Sequence, residues 1–338
     1  MLDIDGSYGE GGGQVLRYAV ALSVYTKKPV EITNIRARRH KPGIRPQHLT
    51  AISCIASMCN AKTEGLSIGS SRLSFFPGNI KAGEYKFDVG TAGSITLIFQ
   101  ACIISALQTK KPIKINITGG TDVKWSPSWD YFKKIFLPLI SSMGVKVEAN
   151  LIKRGYYPKG GGKAEIKIHP INKIKSLTLD NNPAFKKIEG IINISNLPNN
   201  ISIRMKHTIF KKSINNNFQT SIDIEESKSD SPGVGITLWS ISNKAILGSS
   251  IIGEKGIPAE QIGDKSINQI INQINSKANI DFFAIDQILP YMMISDNPSK
   301  CRVSSLTNHA STSIWLLKKF FNKDILIKKN NNLIEIFT

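Results

Sequence analysis

The chain has 338 residues, 41% of them hydrophobic, which excludes a disordered protein and leaves two domains or one large domain with an insert. Lysine and arginine number 44 against 25 aspartates and glutamates, a formal net charge of +19, so the expected partner is an anion: nucleic acid, an anionic membrane or a phosphorylated substrate. A membrane span is not expected, because the most apolar stretch, Ile95 to Leu107, is too short and contains Gln100.

The N-terminal Met1-Leu2-Asp3-Ile4-Asp5-Gly6 has neither the basic nor the apolar region of a secretion signal, and a cytoplasmic protein is expected. Tyr8-Gly9-Glu10-Gly11-Gly12-Gly13-Gln14 follows and opens an apolar helix that carries Arg17. Glycines ahead of a helix allow close backbone approach, and the free N–H groups there attract phosphate. The run is neither a Walker A loop nor a dinucleotide fingerprint, because no G-K-[ST] follows and no G-x-G-x-x-G opens a βαβ unit. An ordinary turn also uses such glycines. Glu10 is the unusual member. A carboxylate among phosphate-binding amides repels the ligand unless a divalent cation bridges them, so Glu10 is either a Mg²⁺ or Mn²⁺ ligand or a solvated loop residue.

Thr26-Lys27-Lys28-Pro29-Val30-Glu31-Ile32 recurs as Thr109-Lys110-Lys111-Pro112-Ile113-Lys114-Ile115. Before each copy an apolar helix opens at a glycine turn, the second at Gly93-Ser94. After each come a β-branched strand, a loop, an amphipathic segment (Gln47 to Cys59; Ser128 to Met143) and a short strand (Lys62-Thr63; Val145-Lys146-Val147). The first loop, Arg36-Ala37-Arg38-Arg39-His40-Lys41-Pro42-Gly43-Ile44-Arg45, groups guanidinium forks that suit phosphate oxygens; a solvated basic loop is the alternative. A weaker third copy lies at the C-terminus, with a helix over His309 to Phe321 and a strand at Ile325-Leu326-Ile327. The expected fold is therefore α/β, with three tandem units of roughly βαβαββ.

An Asn-, Ser-, Lys- and Ile-rich stretch from about Pro183 to Lys277 breaks the pattern. Its expected strands are Gly190 to Ile194 and Gly235 to Trp239, its helices Thr208 to Asn215 and Ala259 to Ser276, with a turn at Ser231-Pro232-Gly233. We read residues 184–276 as a smaller α/β domain inserted in the third unit, and residues 1–183 plus 277–338 as the main domain.

His309 falls in the first turn of the last helix, with Thr307 or Asn308 as cap. There the helix dipole disfavours imidazolium and favours a nearby anion. Position alone leaves it either a packing histidine or a nucleophile toward phosphorus. His48 is expected half-buried on its helix, His169 at a strand end and His207 in the insert; no pair has metal-ligand spacing. Cys54, Cys59, Cys102 and Cys301 show no C-x-x-C spacing and read as core thiols.

Taken together, Gly9 to Gln14 with Arg17, Ile35-Arg36, Lys41-Pro42-Gly43 with Gln47-His48-Leu49, Gly93-Ser94 with Gln100, Gly119-Gly120-Thr121-Asp122, Tyr157 to Gly162, Gly253-Glu254-Lys255, Asp286-Gln287 and His309-x-x-Thr312 resemble the RNA 3'-terminal phosphate cyclase family over nearly the whole chain. The resemblance implies three units like the C-terminal domain of translation initiation factor three, with a smaller domain inserted in the third. It implies an ATP-dependent ligase acting on RNA with a 3'-terminal phosphate, through a covalent His–AMP at His309, to give a 2',3'-cyclic phosphate. It further implies a divalent metal at Glu10, and nucleotide contacts from Arg17, Arg36, Arg39, Gln47, Gln100, Pro127, Phe283, Asp286 and Gln287. Departures from the family pattern are Pro46 in place of an arginine, Phe283 in place of a tyrosine, and Ser250 where some members offer an aromatic ring over adenine. The alternative readings are a catalytically inert cyclase-like protein of ribosome assembly, which would lack the histidine, and an enolpyruvyl transferase, which needs no covalent histidine.

Overall fold

The repeated Thr-Lys-Lys-Pro motif marks the same turn in two copies of one unit, because a proline that cannot continue a helix forces the chain out into a strand. The computed structural model describes residues 1–179, 183–330 and 333–338. In the first unit, β1 (Leu2–Asp5), α1 (Gly13–Thr26), β2 (Val30–Thr33), α2 (Pro46–Cys59), β3 (Lys62–Glu64) and β4 (Leu73–Phe76) form a sheet of order β1-β2-β4-β3. The second unit repeats it with β5 (Gly83–Asp88), α3 (Ile95–Ala106), β6 (Ile113–Gly119), a helical segment, β7 (Val147–Lys153) and β8 (Gly162–Ile168), in the order β5-β6-β8-β7. In both sheets the first two strands are parallel and the other pairings antiparallel. Alternation decides which face packs: Ile113, Ile115 and Ile117 of β6 are all buried.

The third unit keeps this plan, its first strand represented among the described residues by a single bridge. Thr178 pairs in parallel with Lys300, where β1 and β5 stand in the other units. Then come α8 (Ala284–Ile294), β13 (Lys300–Val303), α9 (Asn308–Phe320), β14 (Leu326–Asn330) and β15 (Leu333–Phe337), in the order β13-β15-β14. Between the bridge and α8 the chain builds another sheet from β9 (Lys187–Ser195), β10 (Gln219–Ser227), β11 (Gly233–Ser242) and β12 (Ala245–Ile252), in the order β10-β9-β11-β12. Helices α6 (Asn200–Asn215) and α7 (Ala259–Asn275) pack on it. Ile188, Ile192, Met205, Leu238 and Ile267 belong to an apolar cluster separate from the main core. Residues 180–182, at the junction expected before this stretch, lie outside the described residues.

Several expected elements are corrected. The segment Ser128 to Met143 is not one regular helix. Trp129–Tyr131 forms α4, Leu137–Ser142 forms α5, and a π-helical turn, Phe132–Phe136, joins them. Pro138 has no N–H to give the preceding turn, and a wider turn absorbs the deficit. The strand expected at Val145 starts at Val147 and runs to Lys153, because its hairpin partner β8 is long. Helix α6 begins at Asn200 instead of Thr208, and β9 and β11 extend beyond their expected ends. All four cysteines are free and buried. Among the described residues no helix is long and apolar enough to cross a membrane.

A buried ionic knot ties the extra sheet to the second unit. Arg154 reaches Asp122 and Asp130 at 3.0 Å each and Glu225 of β10 at 2.7 Å. Asn193 of β9 donates to Asp130 at 3.1 Å and accepts from the Tyr156 hydroxyl at 2.7 Å.

Candidate active site

Helices α1, α8 and α9 pack on one another with their first turns together. Gln14, the second residue of α1, is the hub. Its Nε2 donates to Asp286 Oδ2 at 2.8 Å and to Ser313 Oγ at 3.1 Å. Its Oε1 therefore faces Nδ1 of His309, 3.1 Å away. With its amide so oriented, Gln14 Oε1 accepts a hydrogen bond from Nδ1–H, which leaves the lone pair of neutral His309 on Nε2. Helix α9 is fixed at its start by Thr307, whose hydroxyl accepts from the Ala310 N–H at 3.1 Å.

Nε2 of His309 lies 2.8 Å from Glu10 Oε2, and Arg39 Nη2 lies 3.5 Å from the same oxygen. That oxygen is buried, and neither neighbour meets it in hydrogen-bond alignment. Glu10 is carried by the glycine run. Gly9 holds a φ of 61°, and a Cβ on it would overlap Thr312 Oγ1, so the loop and the His309-x-x-Thr312 turn touch only because Gly9 lacks a side chain. Gly13 does the same for His48, whose imidazole occupies the space of the missing Cβ.

Arg17, one turn into α1, is 6% exposed, and its Nε has no partner. Burial lowers its pKa to about 10. A buried guanidinium without a full set of acceptors is a site for an anion. Helix α1 begins without a side-chain cap, one turn before Arg17. Burial, helped by Arg17, Arg36 and Arg45, lowers the His48 pKa to about 3, and this histidine is buried rather than half-buried as expected. Burial also lowers His309, with Arg17 and Arg39 adding to the effect and Glu10 opposing it. The group is thus held toward the neutral, nucleophilic form.

The remaining candidates lie along the heads of α2, α3 and α8. Gln47 accepts from the Ser94 N–H at 2.8 Å, joining the start of α2 to that of α3. Gln100 is buried, and its Nε2 donates to Gln287 Oε1 at 2.6 Å; Gln287 in turn donates to the Phe283 carbonyl at 2.7 Å. The Pro127 carbonyl accepts from Thr96 at 2.7 Å. Phe283 is partly exposed beside Phe282, with ring centroids 4.2 Å apart. Asp281, buried behind them, accepts from the Tyr131 hydroxyl and from the N–H groups of Phe283 and Ala284. Burial raises Asp281 and Asp286 to about 7. Arg36 stands apart: its Nη1 donates to the carbonyls of Lys41 and Gly43, at 2.6 and 3.0 Å, and shapes its own loop. Ser250, at the departure noted above, donates to Ser128 Oγ at 2.8 Å.

Residues 8–327 match the family model for RNA 3'-terminal phosphate cyclase. Proteins described as RNA 3'-terminal phosphate cyclase from Pyrococcus furiosus and Nitrosospira multiformis are 40% and 39% identical to the chain. The alignments cover 97% and 99% of it, and 95% and 96% of those relatives. One from Methanopyrus kandleri is 36% identical over 97% of the chain and 95% of its own length. The chain belongs to the RNA 3'-terminal phosphate cyclase family. Within the cyclase framework, Gln14 and Ser313 are not among the site residues expected from sequence: Gln14 bonds His309 directly, and Ser313 bonds Gln14. Gln14 stands in the glycine motif, but its part as the hub of three helices depends on tertiary packing and has no local signal.

Proposed function

We propose that this protein converts an RNA 3'-terminal phosphate to a 2',3'-cyclic phosphodiester at the expense of ATP, in the cytoplasm, with His309 as nucleophile. The observation that carries this reading is His309: Nδ1 is held by Gln14, while Nε2 is left toward Glu10, 2.8 Å away, within the electrostatic reach of buried, under-paired Arg17. In the first step Nε2 attacks the α-phosphorus of ATP; an N–P bond forms, the bond to the β-phosphate oxygen breaks, and pyrophosphate leaves. An oxygen of the RNA 3'-phosphate then attacks the same phosphorus and frees the histidine, giving RNA(3')pp(5')A. The neighbouring 2'-hydroxyl closes on the RNA phosphorus, loses its proton to solvent, and AMP departs. Activation is needed because AMP leaves phosphorus far more readily than hydroxide does.

Among the described residues no group of three or more His, Cys, Asp or Glu side chains could hold a metal ion by itself. Glu10 with its unaligned buried oxygen fits a hard cation held by one carboxylate, phosphate oxygens and water. When bound there, Mg²⁺ or Mn²⁺ would neutralise charge at the α-phosphate and satisfy the carboxylate that otherwise faces Nε2. Arg17, Arg39 and the uncapped first turn of α1 hold phosphate oxygens. Gln47 and Gln100 are assigned to the phosphate side and its surroundings, Pro127, Phe283, Asp286 and Gln287 to adenosine, and Arg36 to shaping the basic loop beside them. The separate sheet and apolar cluster support a division into a main domain, 1–183 plus 277–338, and an inserted one, 184–276.

Incubation with α-labelled ATP and a divalent metal, read on a denaturing gel, tests the reading. The wild type is expected to carry an acid-labile, alkali-stable label and His309→Ala none. A folded, ATP-binding wild type without label would overturn the enzyme reading in favour of an inert, RNA-binding member of the family.

A further inference from the structure

Two large rings lie exposed beside the site, and the adenylation chemistry uses neither. Trp125 is 96% exposed and Tyr157 77% exposed. Trp125 also holds a φ of 61°, which a bulky residue adopts only where its surroundings impose it. Those surroundings are visible on both sides. Ser126 Oγ donates to the Val123 carbonyl at 2.9 Å, and Pro127 is tied to Thr96 at the head of α3. Lys124 pairs with Glu254 and lies 5.9 Å from the Trp125 ring centroid. The loop is thus pinned at both ends, with its indole turned outward.

The loops that carry the two rings are bonded to each other. The N–H groups of Thr121 and Asp122 donate to the Gly155 carbonyl at 2.8 and 3.2 Å, which joins the Trp125 loop to the Tyr157 loop. Lys159 N–H donates to Ser231 Oγ at 3.1 Å, and Gly253 N–H to the Val234 carbonyl at 2.8 Å. Two motifs without a part in the adenylation step thus adjoin the Trp125 loop: Gly253-Glu254-Lys255 through the Lys124–Glu254 pair, and Tyr157-Pro158-Lys159 through the Gly155 carbonyl two residues before it. Exposed rings interleaved with lysines are the chemistry of a single-strand platform: every base offers a face to stack, and every phosphate a charge to pair. Continuity with the site runs through Pro127 and Thr96.

We propose that this surface binds single-stranded RNA, with Trp125 and Tyr157 stacking bases upstream of the 3'-phosphate while Lys159 follows the backbone and Lys124, held by Glu254, fixes the Trp125 loop. The proposal rests on the RNA-end reading above. The test is fluorescence anisotropy of a short single-stranded RNA with a 3'-phosphate, measured without ATP, so that it does not depend on AMP transfer. Trp125→Ala and Tyr157→Ala should each weaken binding by roughly fivefold to a hundredfold, with Trp125→Phe and Tyr157→Phe close to wild type. Lys159→Ala should lower affinity and flatten its salt dependence. Unchanged RNA affinity in both alanine variants, with wild-type melting temperatures, would overturn the proposal. So would a raised ATP requirement for self-labelling at unaltered RNA affinity, which would put the rings on adenine, or a double-alanine variant that loses a protein partner but no RNA. Failure of AMP labelling in the wild type would instead overturn the cyclase reading and leave the anisotropy result standing.

Discussion

At His309 the decisive neighbour is Gln14, because the amide chooses which ring nitrogen keeps its lone pair. Gln14→Ala should slow formation of the AMP-labelled protein by roughly a hundredfold, the scale of a misplaced reacting group, with ATP affinity nearly retained. Single-turnover labelling at saturating ATP measures it; a loss confined to ATP affinity would show that Gln14 only binds. Asp281 gives a prediction for the protein without ligands. Burial raises its folded pKa to about 7 from an ordinary carboxylate value of 3.8. Between those values the folded state keeps a proton that the unfolded chain releases, so this group's contribution to stability is full below about pH 4 and is lost as pH rises toward 7. Urea midpoints from pH 4 to 7 should therefore fall less steeply in Asp281→Asn than in wild type.

Elements meet at the site where small residues let them. Gly9→Ala would place a methyl group on Thr312 and strain a left-handed residue, so the loop must shift and take Glu10 with it. A loss of about 1–3 kcal/mol in thermal stability and a higher divalent-metal requirement for labelling are expected, and Thr312→Ser should relieve neither. Much of this level is legible in the sequence. Glycine before an apolar run, a threonine cap and a Lys-Pro turn are local signals, so α1, α9, β2 and β6 stand close to where spacing puts them, and Glu10 and His309 come with them. The sequence does not show that Gln100 and Gln287 bond each other, that Arg36 turns back on its own loop, or that α4 and α5 are joined by a π turn. Each depends on contacts between elements distant along the chain, or on one missing N–H whose repair can take several forms.

For the whole molecule, Arg154 is the joint between the inserted sheet and the second unit. Its side chain is 1% exposed and faces three carboxylates, two of them equally buried. Arg154→Ala would strand those charges, and a cost of about 3–5 kcal/mol in urea denaturation is expected, with the transition broadening if the insert loosens first. The single bridge from Thr178 to Lys300 has a consequence in time. The first two units can close as soon as their own contiguous residues leave the ribosome, whereas the third must wait until the whole insert has been made before its first strand finds a neighbour. His309 lies beyond that bridge, so the proposed nucleophile reaches a cradle of glycines and arginines that is already folded. A nascent chain stopped short of Lys300 should therefore protect the α1 and α3 amides from hydrogen exchange while remaining chemically silent.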